Sequence, residues 1–173
     1  MVSEEEFKLG MRRLVGGVNI VTARLEGEVF GWTATAVSSL TAKPPRMLAC
    51  VNRELKGYDL LCGGGVLTIN ILRKQQVALA KRFGAMDGTP VADRFNQDGW
   101  DLTGNYAPIL KDALAAISCE VESLLTIGTH GVAIGRVSRM YVPKIEEDNC
   151  PLTYLDGTWG SVLPLNSLNV SVG

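Results

Sequence analysis

The stretch from Ile117 to Val142 constrains the fold more than any other part of the chain: two long strand-like segments, Ile117 to Ile127 and Val132 to Val142, joined only by Gly128-Thr129-His130-Gly131. Segments of that kind with so short a connection must pair as an antiparallel hairpin. Earlier segments point the same way. Val18 to Ala23 is rich in β-branched residues, a turn at Glu26-Gly27-Glu28 leads back into Val29 to Val37, and Met47 to Asn52 and Val66 to Leu72 read as buried strands. Helical spacing shows in two places. Ser3 and Glu6 form a capping-box pair ahead of a stripe of Phe7, Met11, Leu14 and Val15, and Gln75 to Phe83 carries Val77, Ala80 and Phe83 on one face. Residues 84 to 105 read as a long loop, of the kind that is often functional, and the piece after Pro151 reads as short and irregular. No regular crossover helices separate the strands, so a doubly wound parallel sheet does not fit. The predicted fold is mainly β with appended helices, an antiparallel barrel.

The length fits one domain spanning residues 1–173. Net charge is −1 and no block of like charges occurs, so nothing in the sequence points to nucleic acid or an anionic membrane surface. The acidic start Ser3-Glu4-Glu5-Glu6 lacks an apolar core for a secretory signal, and no apolar run approaches the roughly 20 residues of a membrane helix. The cytoplasm is the expected compartment. Cys50, Cys62, Cys119 and Cys150 show no C-x-x-C spacing, and the chain has one histidine, so no metal site is expected. The cysteines are expected to be reduced and mostly buried. There is no G-x-G-x-x-G, Walker A or G-x-S-x-G sequence, and Gly63-Gly64-Gly65 precedes a strand rather than a helix. With nucleophile–histidine systems also unsupported, what remains is chemistry carried by a cofactor.

The most unusual segment is Gly31-Trp32-Thr33-Ala34-Thr35-Ala36-Val37-Ser38-Ser39-Leu40. Its small side chains let a flat ring approach the backbone, and the hydroxyls of Thr33, Ser38 and Ser39 can reach ribityl or phosphate oxygens. The same pattern also suits a half-exposed strand using Thr for its β-propensity. Asn52 and Arg53 end a buried strand; the Arg53 guanidinium suits a phosphate, or an ordinary exposed strand end. Asn70 sits within an apolar strand and is either a structural clamp or a ligand contact. Arg82 and Phe83 end the middle helix, where a cation is locally favourable and where Arg82 could also reach a phosphate and Phe83 pack on a ring. His130 lies at a hairpin tip, and Tyr154 and Trp159 can stack on a ring or simply pack.

Taken in order, these blocks resemble the flavin reductase-like family of the FMN-binding split-barrel fold. The matching pieces are Gly16-Gly17-Val18, the segment from Gly31 to Thr41 followed by Pro44-Pro45, Cys50-Val51-Asn52-Arg53, and Ile69-Asn70-Ile71-Leu72. Asp93-Arg94-Phe95 and Trp100, Pro108-Ile109-Leu110, Cys119-Glu120-Val121, Gly128-Thr129-His130 and Pro151-Leu152-Thr153-Tyr154 before Gly157-Thr158-Trp159 complete the series. The block from Thr33 to Ser39 is most similar to the reductase components of two-component aromatic monooxygenases. The resemblance implies an antiparallel split β-barrel and an NAD(P)H:flavin oxidoreductase that passes a hydride from NADH or NADPH to FMN or FAD. It further implies a homodimer with flavin near the subunit interface and a partner oxygenase or other electron acceptor. The alternative is an FMN-binding electron carrier without nicotinamide activity of its own. By the same match Trp32, Thr33, Ala34, Thr35, Ala36, Val37, Ser38, Ser39, Asn52, Arg53, Arg82 and Phe83 face the flavin. His130 lies near the nicotinamide, with Tyr154 and Trp159 on that side of the site. Trp32 is bulkier than the family pattern at its position.

Overall fold

The computed structural model describes residues 1–96, 99–144 and 150–163. In chain order the elements are α1 (Glu4–Met11), β1 (Gly16–Gly17), β2 (Asn19–Leu25), β3 (Glu28–Ala34), β4 (Val37–Ala42), β5 (Pro45–Asn52), α2 (Lys56–Cys62), β6 (Val66–Ile71) and α3 (Val77–Phe83). There follow β7 (Trp100–Asp101), β8 (Ile109–Leu110), β9 (Ala115–Ile127), β10 (His130–Tyr141), β11 (Leu152–Leu155) and β12 (Thr158–Ser161).

Seven strands form one antiparallel sheet in the order β3-β2-β6-β9-β10-β5-β4. Its two edges, β3 and β4, are separated in the chain only by Thr35 and Ala36. In a flat sheet six inter-strand spacings would put those edges nearly 30 Å apart, whereas the chain from Ala34 to Val37 reaches about 10 Å. The sheet must therefore curl until its edges meet. β3 and β4 do not pair with each other, so the result is a barrel with one open seam.

Alternation of side chains along the strands sorts the two faces. Inward residues such as Val21, Trp32, Val51, Leu67, Ile69 and Ala133 fill the barrel, and α2 closes it with Leu60 and Leu61. On the outer face, Ile20, Leu72, Phe83, Trp100 and Leu110 form a second core under α3. A polar row crosses that outer face. Thr22 donates to the carbonyl of Pro108 at 2.7 Å, Thr68 to that of Ala107 at 3.0 Å, and Asn70 takes the Leu110 N–H at 2.8 Å. Asn70 also donates to the Ile20 and Pro108 carbonyls and is fully buried, which makes it the structural clamp of the two expectations.

Several expectations change. The predicted continuous strand from Val29 to Val37 is broken by a bend at Thr35–Ala36. α2 had no counterpart in the sequence reading, and the piece after Pro151 is an ordered hairpin, β11 with β12. The capping box of α1 is present, but the helix ends at Met11 and none of its residues is buried. All four cysteines are free, yet only Cys119 is buried, its thiol pushed up to about 11 by desolvation; Cys50 and Cys150 are half-buried and Cys62 is exposed. Among the described residues no helix is long and apolar enough to cross a membrane.

Candidate functional site

The bend at the seam is where Asn52, Arg53 and His130 come near the segment from Thr35 to Ser39. β5 runs antiparallel to β4, with Val37 opposite Ala49 and the Cys50 N–H bonded to the Ala36 carbonyl at 2.9 Å. Asn52 therefore ends β5 close to where the chain turns away through Thr35. On the other side of β5, His130 stands directly opposite Asn52. Arg53 is tied to the same place: its N–H bonds the Thr129 carbonyl at 3.0 Å and its guanidinium donates to the Gly128 carbonyl at 3.2 Å. Two pieces remote in sequence, Asn52-Arg53 and Thr129-His130, thus share one barrel end.

Each side chain there has a definite role. Asn52 Oδ1 accepts the Glu54 N–H at 3.0 Å and shapes the turn into α2. His130 is exposed, with Nδ1 against Thr129 Oγ1 at 2.9 Å, which leaves Nε2 as the nitrogen for a ligand. The Arg53 guanidinium also lies over the Tyr58 ring, 6.0 Å from its centroid. Thr35, Ala36, Ser38 and Ser39 are exposed and small, while Ala34 and Val37 are half-buried against the inner core. Ser38 donates to the neighbouring Ser39 carbonyl at 3.1 Å.

Behind the bend, Thr33 donates to the Ala80 carbonyl at 2.6 Å and fixes α3 to β3. That hydroxyl is already engaged. Arg82, near the C-terminal end of α3, is largely buried and lies 3.9 Å from Asp87. The Thr89 N–H, before any other group, holds the Asp87 carboxyl below the usual carboxylate range. On the far side, a Cβ at Gly16 would stand 2.7 Å from the Thr35 side chain, so only glycine lets β1 come so close. Gly16 pairs with Tyr154, whose ring meets Trp159 edge-on at 4.9 Å. Both rings are half-buried against the outer core, one strand away from the bend.

Two residues expected to face a ring are instead used for packing. Phe83 is 2% exposed and wedged between Phe95 and Trp100, with centroids at 5.1 and 5.3 Å, so neither of its faces is open. Trp32 is 5% exposed, points into the barrel and donates its indole N–H to the Cys50 carbonyl at 3.2 Å. Trp32 stands in the family-matched block and Phe83 beside Arg82 at the helix end, which made both expected ligand contacts; alternation along β3 and the helical face of α3 turn them inward. One residue was overlooked. Asn19, 7% exposed, donates to the carbonyls of Gly17 (2.9 Å) and Ala34 (3.3 Å) and so holds the start of the bend. Its signal, an amide in a β-branched run, is the same one that singled out Asn70.

A concavity of about 290 Å³ between α2 and β9, lined by Tyr58, Cys62 and Thr126 among others, meets this constellation only at Tyr58. One of about 160 Å³ lined by Tyr106, Ser118 and Ser138 lies outside it. No cluster of metal-binding side chains occurs among the described residues.

Comparison with known proteins agrees with this architecture. The flavin reductase like domain family matches residues 11–162, most of the chain. The chain belongs to that family. As a flavin reductase-like domain it is 37% identical over 131 residues to the FMN reductase (NADH) RutF 2 of Rhizobium rhizogenes, covering 76% of this chain and 75% of that one. It is also 37% identical over 138 residues to the 4-hydroxyphenylacetate 3-monooxygenase reductase component of Salmonella typhimurium, covering 80% and 81%. Among solved structures, a flavin reductase domain protein from Arthrobacter sp. FB24 superposes with a TM-score of 0.82 at 30% identity, over 94% of this chain and 98% of that one. The flavin reductase HpaC complexed with NADP+ does so with a TM-score of 0.80 at 26% identity, over 96% and 100%.

Proposed function

We propose that the protein is an NAD(P)H:flavin oxidoreductase that reduces FMN or FAD and passes the reduced flavin to a partner oxygenase. The single observation that carries the site is the register of β5 and β10, which sets Asn52 and Arg53 against Thr129 and His130 beside an exposed, small-residue bend. The names of the relatives, FMN reductase (NADH) and a monooxygenase reductase component, favour FMN with NADH and an oxygenase as consumer. The cytoplasm and a homodimer belong to the same reading.

The residues present fit a flavin. A flat ring needs a stretch of backbone uncovered by bulky side chains, and Thr35, Ala36, Ser38 and Ser39 offer one at the seam. Its phosphate tail needs a cation with free donors. Arg53 is exposed and spends Nη1 on Gly128, which holds the guanidinium in place while other N–H groups remain available for an anion. Bound together, reduced nicotinamide and flavin supply the chemistry, a hydride passing from one to the other. The protein's part is positional. The bend backbone would hold the polar edge of the ring by N–H donation, where preorganised donors stabilise developing negative charge. His130 would orient the nicotinamide through Nε2 rather than act as an acid. Tyr154 and Trp159, anchored through Gly16, would flank the second ring.

The test is direct. Purified protein is mixed with FMN or FAD and then NADH or NADPH, and flavin binding and nicotinamide oxidation are followed together. Catalytic oxidation dependent on added flavin is expected. Tight flavin binding without oxidation would instead indicate an electron carrier, and no flavin uptake would refute the site.

A further inference from the structure

The open seam raises a question that the ligand contacts do not answer: what keeps its two walls at a fixed separation. One wall is β3 leading into the bend; the other is β5 leading into Asn52 and Arg53. In an antiparallel pair the N–H and C=O of one residue point to the same neighbour. The Cys50 N–H bonds Ala36, so the Cys50 carbonyl also faces the side from which the chain departs at the bend. The paired register starts only at Val37 opposite Ala49. The Trp32 indole N–H meets that carbonyl, at 3.2 Å, crossing from the edge strand β3.

The ring is held as firmly as the bond. Trp32 is 5% exposed, and a Cβ added at Gly57 of α2 would stand 2.7 Å from its six-membered ring. Gly57 is itself buried, so α2 packs directly against the indole where it reaches from β3 to β5. A large side chain that reaches from β3 to the end of β5 beyond the β4 pairing, with its indole N–H bonded there and its ring locked by a glycine, joins two strands that no backbone ladder joins.

We propose that Trp32 is a positioning residue. Its indole clasps β3 to β5 across the seam and sets the distance between the bend at Thr35–Ala36 and the Asn52–Arg53 end that receives the flavin. This inference rests on the proposed function and deepens it: Trp32 touches neither ring nor phosphate, but fixes the width of the slot.

The experiment compares Trp32→Phe, which keeps an aromatic ring and deletes the N–H, with Ile69→Val, a mild core substitution in the same barrel interior but on β6, away from the seam. FMN and NADH kinetics are measured for both. Trp32→Phe is expected to raise KM for FMN about tenfold with kcat at saturating FMN within about twofold, while Ile69→Val leaves KM for FMN unchanged. Unchanged KM in Trp32→Phe, or equal rises in both variants, overturns the proposal, because a purely structural role would move the two alike. Should Trp32→Phe not fold, indole N–H exchange in the wild-type protein decides. The Trp32 signal is identified by elimination using Trp100→Phe and Trp159→Phe. It should exchange slowly, and about tenfold more slowly with FMN; exchange as fast as that of the half-buried Trp159, or no response to FMN, refutes the clasp. Failure of the proposed function shows separately, as wild-type protein that neither binds flavin nor oxidises nicotinamide, and it would remove this inference as well.

Discussion

At the residue scale the site is built from side chains that serve neighbours first and leave a defined remainder for a ligand. His130 shows this best. Thr129 Oγ1 occupies Nδ1, the strand pairing of β10 fixes the backbone opposite Asn52, and Nε2 is left for a ligand. Replacing His130 with Ala removes that nitrogen without disturbing a buried group. We expect KM for NADH to rise about tenfold, about 1.4 kcal/mol of binding, with flavin affinity within about twofold. Steady-state kinetics with each substrate varied in turn, and flavin titration by fluorescence, check this. Collapse of flavin binding with normal nicotinamide kinetics would show that His130 serves the other ligand. Thr33 and Asn19 show the reverse case: both were within reach of the sequence pattern, and both spend their polar groups on the protein itself, pinning α3 and the bend.

At the scale of elements, two groups of interactions hold the strands that present the site, and each can be tested. The Asn70 side chain ties the segment from Pro108 to Leu110 to β2 and β6 through three hydrogen bonds, with no exposure to water. Asn70→Ala orphans the Leu110 N–H in the interior and removes one donor each from the Ile20 and Pro108 carbonyls, and a loss of about 2–3 kcal/mol is expected. Urea unfolding should show a lower midpoint with an unchanged slope. Across β5, β9 and β10, Arg46 binds Glu122 at 2.6 Å, and Arg136 reaches Glu120 and Glu122. The Arg46 hydrogen bond, against some desolvation and with help from the Arg46 and Arg136 charges, holds the Glu122 carboxyl below the usual carboxylate range. A carboxyl lowered by folding stabilises the native state fully above its unfolded pKa of about 4.3. That stabilisation is lost as pH falls through the lowered folded value. Glu122→Gln should therefore reduce the acid-side slope of a stability–pH curve; an identical slope in the variant would remove Glu122 from the explanation. These elements also mark how far the sequence could be read. The β9–β10 hairpin was legible because length and a glycine-flanked turn leave few alternatives. The break between β3 and β4 was not, since contacts from Cys50, Asn19 and Gly16, all distant in sequence, make it. α2 has no side-chain N-cap and carries an internal glycine; it is held by burying Leu60 and Leu61, a tertiary cause that local pattern does not record. β11 and β12 did carry a local signal, Asp156-Gly157 with both residues at positive φ, a hairpin turn sequence that was passed over. For the candidate site, the sequence could name Asn52 and His130, but their facing is a product of register alone.

At the scale of the whole molecule, the unspent quantity is apolar surface. α1 is eight residues long, and a helix of that length is marginal in water without tertiary packing. Its capping box adds about 1 kcal/mol, and the exposed Lys8–Glu4 pair only a fraction of that. Yet Phe7 is 59% and Met11 52% exposed, with Leu14 and Val15 just beyond them also uncovered. The strands nearest the site add Leu40 on β4 and Leu125 and Ile127 on β9, the last beside His130. The exposed face of α1 is the candidate interaction surface, and the occupant that fits the proposed function is a second copy of this chain, which would also complete the slot that one chain leaves open at the seam. The wild-type protein should run as a dimer in size-exclusion chromatography with light scattering at about micromolar concentrations, in the ordinary range for a stable protein interface. Charging the helix with Phe7→Asp and Met11→Asp together should shift it to monomer, because two carboxylates would have to be desolvated on association. Both positions are exposed in the single chain, so the monomer should still fold, with a thermal midpoint lowered by the lost association and no longer dependent on protein concentration. KM for FMN should rise with dissociation if the second copy lines the slot. A monomeric wild-type protein with full activity would leave α1 needing another partner, and a doubly charged variant that stays dimeric would move the interface away from this helix to the β4 and β9 strands.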